Sequence, residues 1–282
     1  MINIGASILT WIPKWTEAAG LFAIDQAAHT GYDLVEILFP ENLDLHTKVI
    51  KQRIRKQKIG IRCAAILPPA CHLPRYPRKA KAYLCKAIDL VEQLETDLLA
   101  GVLYTAIAQF SGRLRSEAEW QKMVDVLGEV AHYAKAKGIS LALEPINRYE
   151  TNLLTSAQEV LDLLTDIGMD NVGVHLDTFH MNIEEQNIYE TLTMAGERLF
   201  HVHVCENDRG IVGKGNIAWH DFFEGLAEIN YQGALVLESF SSEVEELRIP
   251  TSLWRETPFT SQQLAELSLA FLTEKASAFG LY

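Results

Sequence analysis

Apolar residues fall along the chain in two spacings that take turns. Short solid runs of strand length alternate with longer stripes that keep the helical period. The solid runs are Ile2–Leu9, Leu34–Phe39, Ile61–Leu67, Leu98–Tyr104, Ile139–Glu144, Val172–Asp177, Leu199–Val204 and Ala234–Glu238. Between them lie the stripes Trp15–Thr30, His46–Lys58, Arg78–Leu94, Ile188–Arg198 and Trp219–Ile229, and Gln262–Phe279 follows the last run. Two further helices announce their own starts. Ser116 with Glu119, and Ser156 with Glu159, have the capping-box spacing that satisfies free backbone donors at a helix N-terminus. Trp120, Met123, Val124, Leu127, Ala131 and Ala134 continue the first of these, and Val160, Leu163, Leu164 and Ile167 the second. Gly31, Gly60, Gly138 and Gly168 supply stops, and Thr260 or Ser261 caps the final helix.

Strand-then-helix units repeated eight times predict a parallel sheet with helical crossovers. In 282 residues, with no composition break between units, they predict one closed (β/α)8 barrel, a TIM barrel spanning residues 1–282 as a single domain. A doubly wound open sheet would want a glycine-rich fingerprint after an early strand, and none is present. The segment Ser239–Thr260, with Pro250 and Pro258, lacks periodicity and has the length of a lid over a barrel mouth.

Composition narrows the function. The chain has 25 Lys and Arg against 37 Asp and Glu, a net charge of −12. That argues against nucleic acid as the main partner, which would require a basic face. No apolar run reaches membrane-span length, and the N-terminus lacks the pattern of a secretion signal, so a cytoplasmic enzyme is expected. Cys63, Cys71, Cys85 and Cys205 show no metal-finger or paired spacing and read as reduced thiols.

The chemistry gathers at the ends of the last four runs. Glu144, Asp177 and Glu238 close three of them, and His203 sits near the end of the fourth. In a parallel barrel, the carboxyl ends of the strands share one mouth, where such enzymes place their chemistry. Three carboxylates crowded there repel one another unless a cation joins them. Any one of these residues alone reads as a cap, a salt-bridge partner or a core histidine. The four on consecutive strands read as ligands of one divalent ion, with manganese, cobalt or magnesium suiting the oxygen-rich set and zinc left open. His201 competes with His203, since alternation puts both on one face, but 203 is nearer the rim. Asn147, Arg148, Glu150, Thr178, His180, Glu206 and Arg209 lie beside the ligands, as a polyhydroxylated substrate would require. Cys63 and Leu103–Phe110 are candidate pocket walls. Gly213-Lys214-Gly215 reads as a turn and lacks the spacing of a phosphate loop.

The segments LALEPINRYETNLL, VGVHLDTFHMNIEE, FHVHVCENDRGIVGKGNIAWHDF and GALVLESF resemble the metal-dependent ketose 3-epimerases, the D-tagatose and D-psicose (D-allulose) 3-epimerases of the xylose-isomerase-like barrels. The resemblance implies epimerisation of a free ketose at carbon 3 through an enediolate. It assigns Glu144, Asp177, His203 and Glu238 to the metal, Glu144 and Glu238 to the acid/base pair, and Glu150, His180 and Arg209 to the substrate. It also implies a homodimer or homotetramer. The chain departs from close relatives at Cys205, where they have glycine, and at Ser239, where many have proline. Both changes bear on substrate preference. An aldose–ketose or hydroxypyruvate isomerase, or an inosose dehydratase, would use the same metal set. A repair endonuclease would need more metal ligands and a basic groove, and a sugar-binding protein would not need paired glutamates.

Overall fold

The computed structural model describes residues 1–282. Eight parallel strands close on themselves in sequence order: β1 (Asn3–Ser7), β2 (Leu34–Leu38), β3 (Gly60–Ile66), β4 (Leu98–Val102), β5 (Ser140–Leu143), β6 (Val172–Asp177), β7 (Leu199–Val204) and β8 (Ala234–Leu237). The closing pair is β8 with β1, registering Ala234 on Asn3 and Leu237 on Ala6. The expected (β/α)8 barrel is therefore the observed fold. Around it run α1 (Glu17–Thr30), α2 (Thr47–Gln57), α3 (Pro77–Gln93), α4 (Glu117–Lys135), α5 (Ala157–Ile167), α6 (Thr178–Glu184), α7 (Ile188–Ala195), α8 (Trp219–Glu228) and α9 (Ser261–Ala278).

A contiguous core of 71 buried residues joins the barrel interior to the inward faces of the helices. This is what solid apolar runs predict, because a parallel strand covered on both faces has no wet side. The ends of the elements carry the polar chemistry. Ser116 and Glu119 form the full reciprocal capping box of α4, and Thr260 with Gln263 does the same for α9. The second predicted box is incomplete. Ser156 accepts from Glu159 N–H, but Arg115 Nη1 lies 3.2 Å from the Glu159 carboxylate, which turns instead to Thr155 N–H at 2.7 Å.

Several boundaries differ from the sequence pattern for local reasons. Ile8–Thr10 leaves β1 as a 3-10 turn capped by the Ser7 hydroxyl. The stripe Ile188–Arg198 stops at Ala195, and Gly196–Arg198 forms a separate 3-10 turn. Helix α6 was not foreseen at all, because its sequence is mostly polar and reads as a loop. At Gly101 in β4, φ is +113° and a Cβ would lie 2.4 Å from the Ala65 carbonyl oxygen, so only glycine permits this approach of β4 to β3. The same residue's carbonyl accepts from Glu144 N–H at 3.1 Å, which ties the first candidate ligand to the sheet.

Candidate metal centre and cavity

Glu144 and Glu238 lie one residue beyond β5 and β8, Asp177 ends β6, and His203 stands in β7 opposite Asp177. The barrel thus delivers all four side chains to one rim. One oxygen or nitrogen from each lies within 4.8 Å of the others, a spacing that a single ion can bridge. His203 Nδ1 is 3.5 Å from Glu238 Oε2 and 4.0 Å from Glu144 Oε1, and it is buried with no hydrogen-bond partner. Three carboxylates and an available imidazole nitrogen fit a divalent cation.

Three of the ligand candidates are held from behind. The Tyr104 hydroxyl lies 3.0 Å from the Glu144 carbonyl oxygen and 2.9 Å from that of Leu154. Asp177 Oδ1 accepts from Phe179 N–H at 2.9 Å and so caps α6, leaving Oδ2 for the centre. Sequence reasoning missed the support of His203. Glu36, fully buried in β2, accepts from His203 Nε2–H at 2.7 Å and from His201 Nε2–H at 2.6 Å. The signal was available as a lone carboxylate inside the apolar run LVEIL. His201 therefore lies beneath the rim, beside His203. His175 was also passed over; it is fully buried, with Nδ1 3.5 Å from Glu144 Oε2.

The electrostatics are those of a site built around positive charge. Burial drives the Glu144 carboxyl well above its ordinary value; Glu238 and Asp177 push the same way, and His203 and Arg209 oppose them. Asp177 is raised chiefly by burial, against the pull of Arg209. Burial would also raise Glu238, but His203 and Arg209 overcome it and hold this carboxyl below its usual range. Burial alone would depress His203, yet Glu36 and Glu238 raise it well above an ordinary histidine. Without an ion, protons and Arg209 balance the carboxylates.

Arg209 does more than its sequence position promised. Its Nη1 donates to Asp177 Oδ2 at 2.8 Å and to Glu238 Oε2 at 2.9 Å, and its guanidinium lies 4.0 Å from the Phe179 ring centroid. Its backbone adopts φ +60°, uncommon outside glycine, secured by Phe240 N–H donating to Arg209 O at 2.8 Å. His180 Nδ1 accepts from Asn147 N–H at 3.2 Å and from Asn147 Nδ2 at 2.9 Å. A backbone N–H can only donate, so the hydrogen of the neutral ring is on Nε2, 3.7 Å from Asp177 Oδ2. Burial and Arg209 hold His180 well below the usual histidine range, which keeps that ring neutral. Glu150 receives Asn147 Nδ2–H at 2.8 Å, and its carboxyl is raised mainly by burial.

A cavity of about 720 Å³ opens over the centre, lined by Glu144, Asn147, Glu150, His180, Arg209 and Glu238 on its polar side. Leu9, Leu38, Phe39, Ile66, Leu67 and Val102 make an apolar wall, and Leu247, Pro250, Thr251 and Ser252 bring the Ser239–Thr260 segment over it. Of the expected walls, Ala106 and Ile107 take part. Cys63 does not; it is fully buried in β3, in register with Ile37 and Leu99. Arg148 turns away to grip Glu184 on α6, with its Nη2 at 2.8 Å. The Gly-Lys-Gly turn wraps the buried Glu206 carboxylate, which accepts from Gly213 N–H at 2.8 Å and Trp219 Nε1–H at 2.7 Å. At Gly215 a Cβ would sit 2.3 Å from Glu206 Oε2, so this glycine serves the turn.

The fold and site together define a barrel with an acidic, histidine-bearing mouth suited to a metal ion and a small polar molecule. The chain belongs to the xylose isomerase-like TIM barrel family, which residues 24–274 match. Its relatives in that family include ketose 3-epimerases of nearly the same length. An L-ribulose 3-epimerase of Methylomonas sp. (strain DH-1) is 33% identical over 280 residues, covering 97% of this chain and 98% of its own. A ketose 3-epimerase of Arthrobacter globiformis is 29% identical, covering 98% of both chains. The crystal structure of a D-allulose 3-epimerase from Methylomonas sp. in complex with D-allulose superposes with a TM-score of 0.91 at 32% identity, over 97% of each chain.

Proposed function

We propose that this chain is a divalent-metal-dependent ketose 3-epimerase acting on free ketoses such as D-tagatose, D-psicose or L-ribulose. One observation carries the reading. Two carboxylates, the buried Glu144 and the half-buried Glu238, flank the same imidazole nitrogen at a cavity whose other side is mostly apolar. The near-full-length similarity to ketose 3-epimerases supports the same reaction class.

Epimerisation removes the proton on carbon 3 and returns one to the opposite face. That proton is a weak acid, so negative charge on the neighbouring oxygens must be stabilised. A divalent ion held by Glu144, Asp177, His203 and Glu238, manganese foremost and then cobalt or magnesium, would supply that stabilisation as a Lewis acid. Glu144 and Glu238 follow strands separated by β6 and β7, so they approach a bound sugar from different sides. One removes the proton and the other, protonated, returns it; the roles exchange for the other epimer. Their opposite displacements, Glu144 raised and Glu238 lowered, suit such a pair. His180 Nε2–H and Arg209 donate hydrogen bonds to the carbonyl end, and Glu150 accepts from a hydroxyl. Arg209 is the one Lys or Arg lining the cavity, which favours an uncharged sugar over a phosphorylated one. We take the enzyme to work as a homodimer or homotetramer, and its four free thiols fit a reducing, cytoplasmic setting.

The test is turnover of a ketose panel in deuterated water, with metal-stripped protein before and after manganese, cobalt or magnesium is restored. Deuterium at carbon 3 with the carbonyl still at carbon 2 is the expected result. A displaced carbonyl would make it an aldose–ketose isomerase, and loss of water a dehydratase.

A further inference from the structure

Glu36 is 1% exposed and stands in the middle of β2, and none of the steps above uses it. A buried carboxylate is costly unless its charge is met by donors, and the donors here are two imidazoles rather than a lysine or arginine. We propose that Glu36 is the positioning residue that makes His203 a metal ligand and sets which ions the centre prefers. This rests on the metal reading of His203 given above.

The geometry works through the ring's two nitrogens. An ionised carboxylate only accepts hydrogen bonds. Glu36 Oε1, 2.7 Å from His203 Nε2, therefore keeps a hydrogen on that nitrogen. When the ring is neutral, the lone pair is then on Nδ1, which faces Glu144 and Glu238 at 4.0 and 3.5 Å and has no partner of its own. Rotating the ring by half a turn would break the bond to Glu36. His175 also crowds it, with ring centroids 4.2 Å apart and planes at 85°. The second oxygen of Glu36 is pinned by His201 Nε2 at 2.6 Å, so the carboxylate itself cannot swing away. A carboxylate behind a ligand imidazole fixes its tautomer and makes it a stronger donor. The other three ligands are carboxylates, which suit magnesium; the imidazole is the donor that favours manganese and, more so, cobalt. Glu36 thus acts on the part of the ligand set that discriminates between ions.

Glu36→Gln isolates the effect with almost no change of shape. The amide keeps one acceptor and gains a donor. If the nitrogen faces His203 it needs a lone pair on Nε2, which moves the ring hydrogen to Nδ1 and toward the two glutamates; if the oxygen faces it, a neutral amide replaces the charged acceptor and holds the Nε2 hydrogen more weakly. When the ring gives up its extra proton to an entering ion, the neutral tautomer with its lone pair on Nδ1 is then no longer favoured as it is with Glu36.

The experiment is calorimetric titration of the full-length, metal-stripped protein with cobalt, manganese and magnesium chlorides. For Glu36→Gln, cobalt and manganese affinity should fall about 10- to 100-fold, with a smaller loss for magnesium. Unchanged cobalt affinity in a folded Glu36→Gln protein would overturn the proposal, as would an equal loss for all three ions. If Glu36→Gln does not fold, nitrogen-15 histidine spectra of the magnesium-loaded, unaltered protein decide the matter. A hydrogen on His203 Nε2 is expected, and one on Nδ1 refutes the assignment. An unaltered protein that binds none of the three ions would refute the metal reading itself, a separate outcome.

Discussion

The two halves of the barrel divide the labour unequally. From β5 to β8, every strand end contributes a polar group to the centre: Glu144, Asp177, His203 and Glu238. From β1 to β4 the same rim is mostly apolar, with Leu9, Leu38, Phe39, Ile66, Leu67 and Val102 facing the cavity and Glu41 the one charged residue among them. Yet the N-terminal half is not a passive wall. It sends one carboxylate, Glu36, across the barrel interior to the back of His203. The comparison teaches that groups which contact a ligand can be concentrated in one half while the groups that orient them come from the other, because a closed barrel brings distant strands face to face.

Three perturbations would break or sharpen this division. The largest effect belongs to the C-terminal half. Glu238→Gln removes both a proposed ligand and one of two bases, and kcat should fall by roughly 10³-fold or more. A rate within a few-fold of the unaltered enzyme would sink the paired-glutamate mechanism.

Next comes the coupling of ion to proton. Burial raises the Glu144 carboxyl, and Glu36 and Glu238 raise His203, in the ion-free chain, so each keeps its proton to higher pH than an ordinary residue of its kind. An entering cation must displace those protons. Affinity for manganese should therefore rise with pH, with protons released on binding. Calorimetry in buffers of different ionisation enthalpy counts those protons, and an affinity independent of pH would contradict the charge balance described.

The smallest effect belongs to the apolar wall. Leu38→Ala, a half-buried residue lining the cavity, removes about 1–2 kcal/mol of apolar contact, so KM should rise roughly 5- to 30-fold at most with kcat nearly unchanged. A large fall in kcat instead would show that the N-terminal wall shapes the reacting geometry.

Much of this was legible before the structure. Solid apolar runs marked all eight strands, since strands covered on both faces have no polar alternation to blur them. The candidate ligands were legible because each polar residue interrupts or ends such a run. The same cue was present at Glu36 and His175, in LVEIL and VGVHLD, but there the polar residue sits inside the run and points to partners that only barrel closure supplies. Helix α6 was hidden for another reason. Asp177 serves at once as strand end, helix cap and candidate ligand, so its chemical meaning obscured its structural one. The direction of Arg148 toward Glu184 could not be read either, since it depends on where that helix lies.

The segment over the cavity has its own small apolar cluster, Leu9, Phe240, Val244 and Leu247, separate from the main core. Most of its remaining anchors are local, among them Ser242 Oγ accepting from Thr257 N–H at 2.9 Å, and Phe240 N–H ties it to Arg209 O at 2.8 Å. A cover fastened this way can be exchanged between relatives, lengthened or rewritten without disturbing barrel packing. Selection on sugar preference therefore has a region in which to vary that is mechanically insulated from the residues that must stay fixed for the barrel to close.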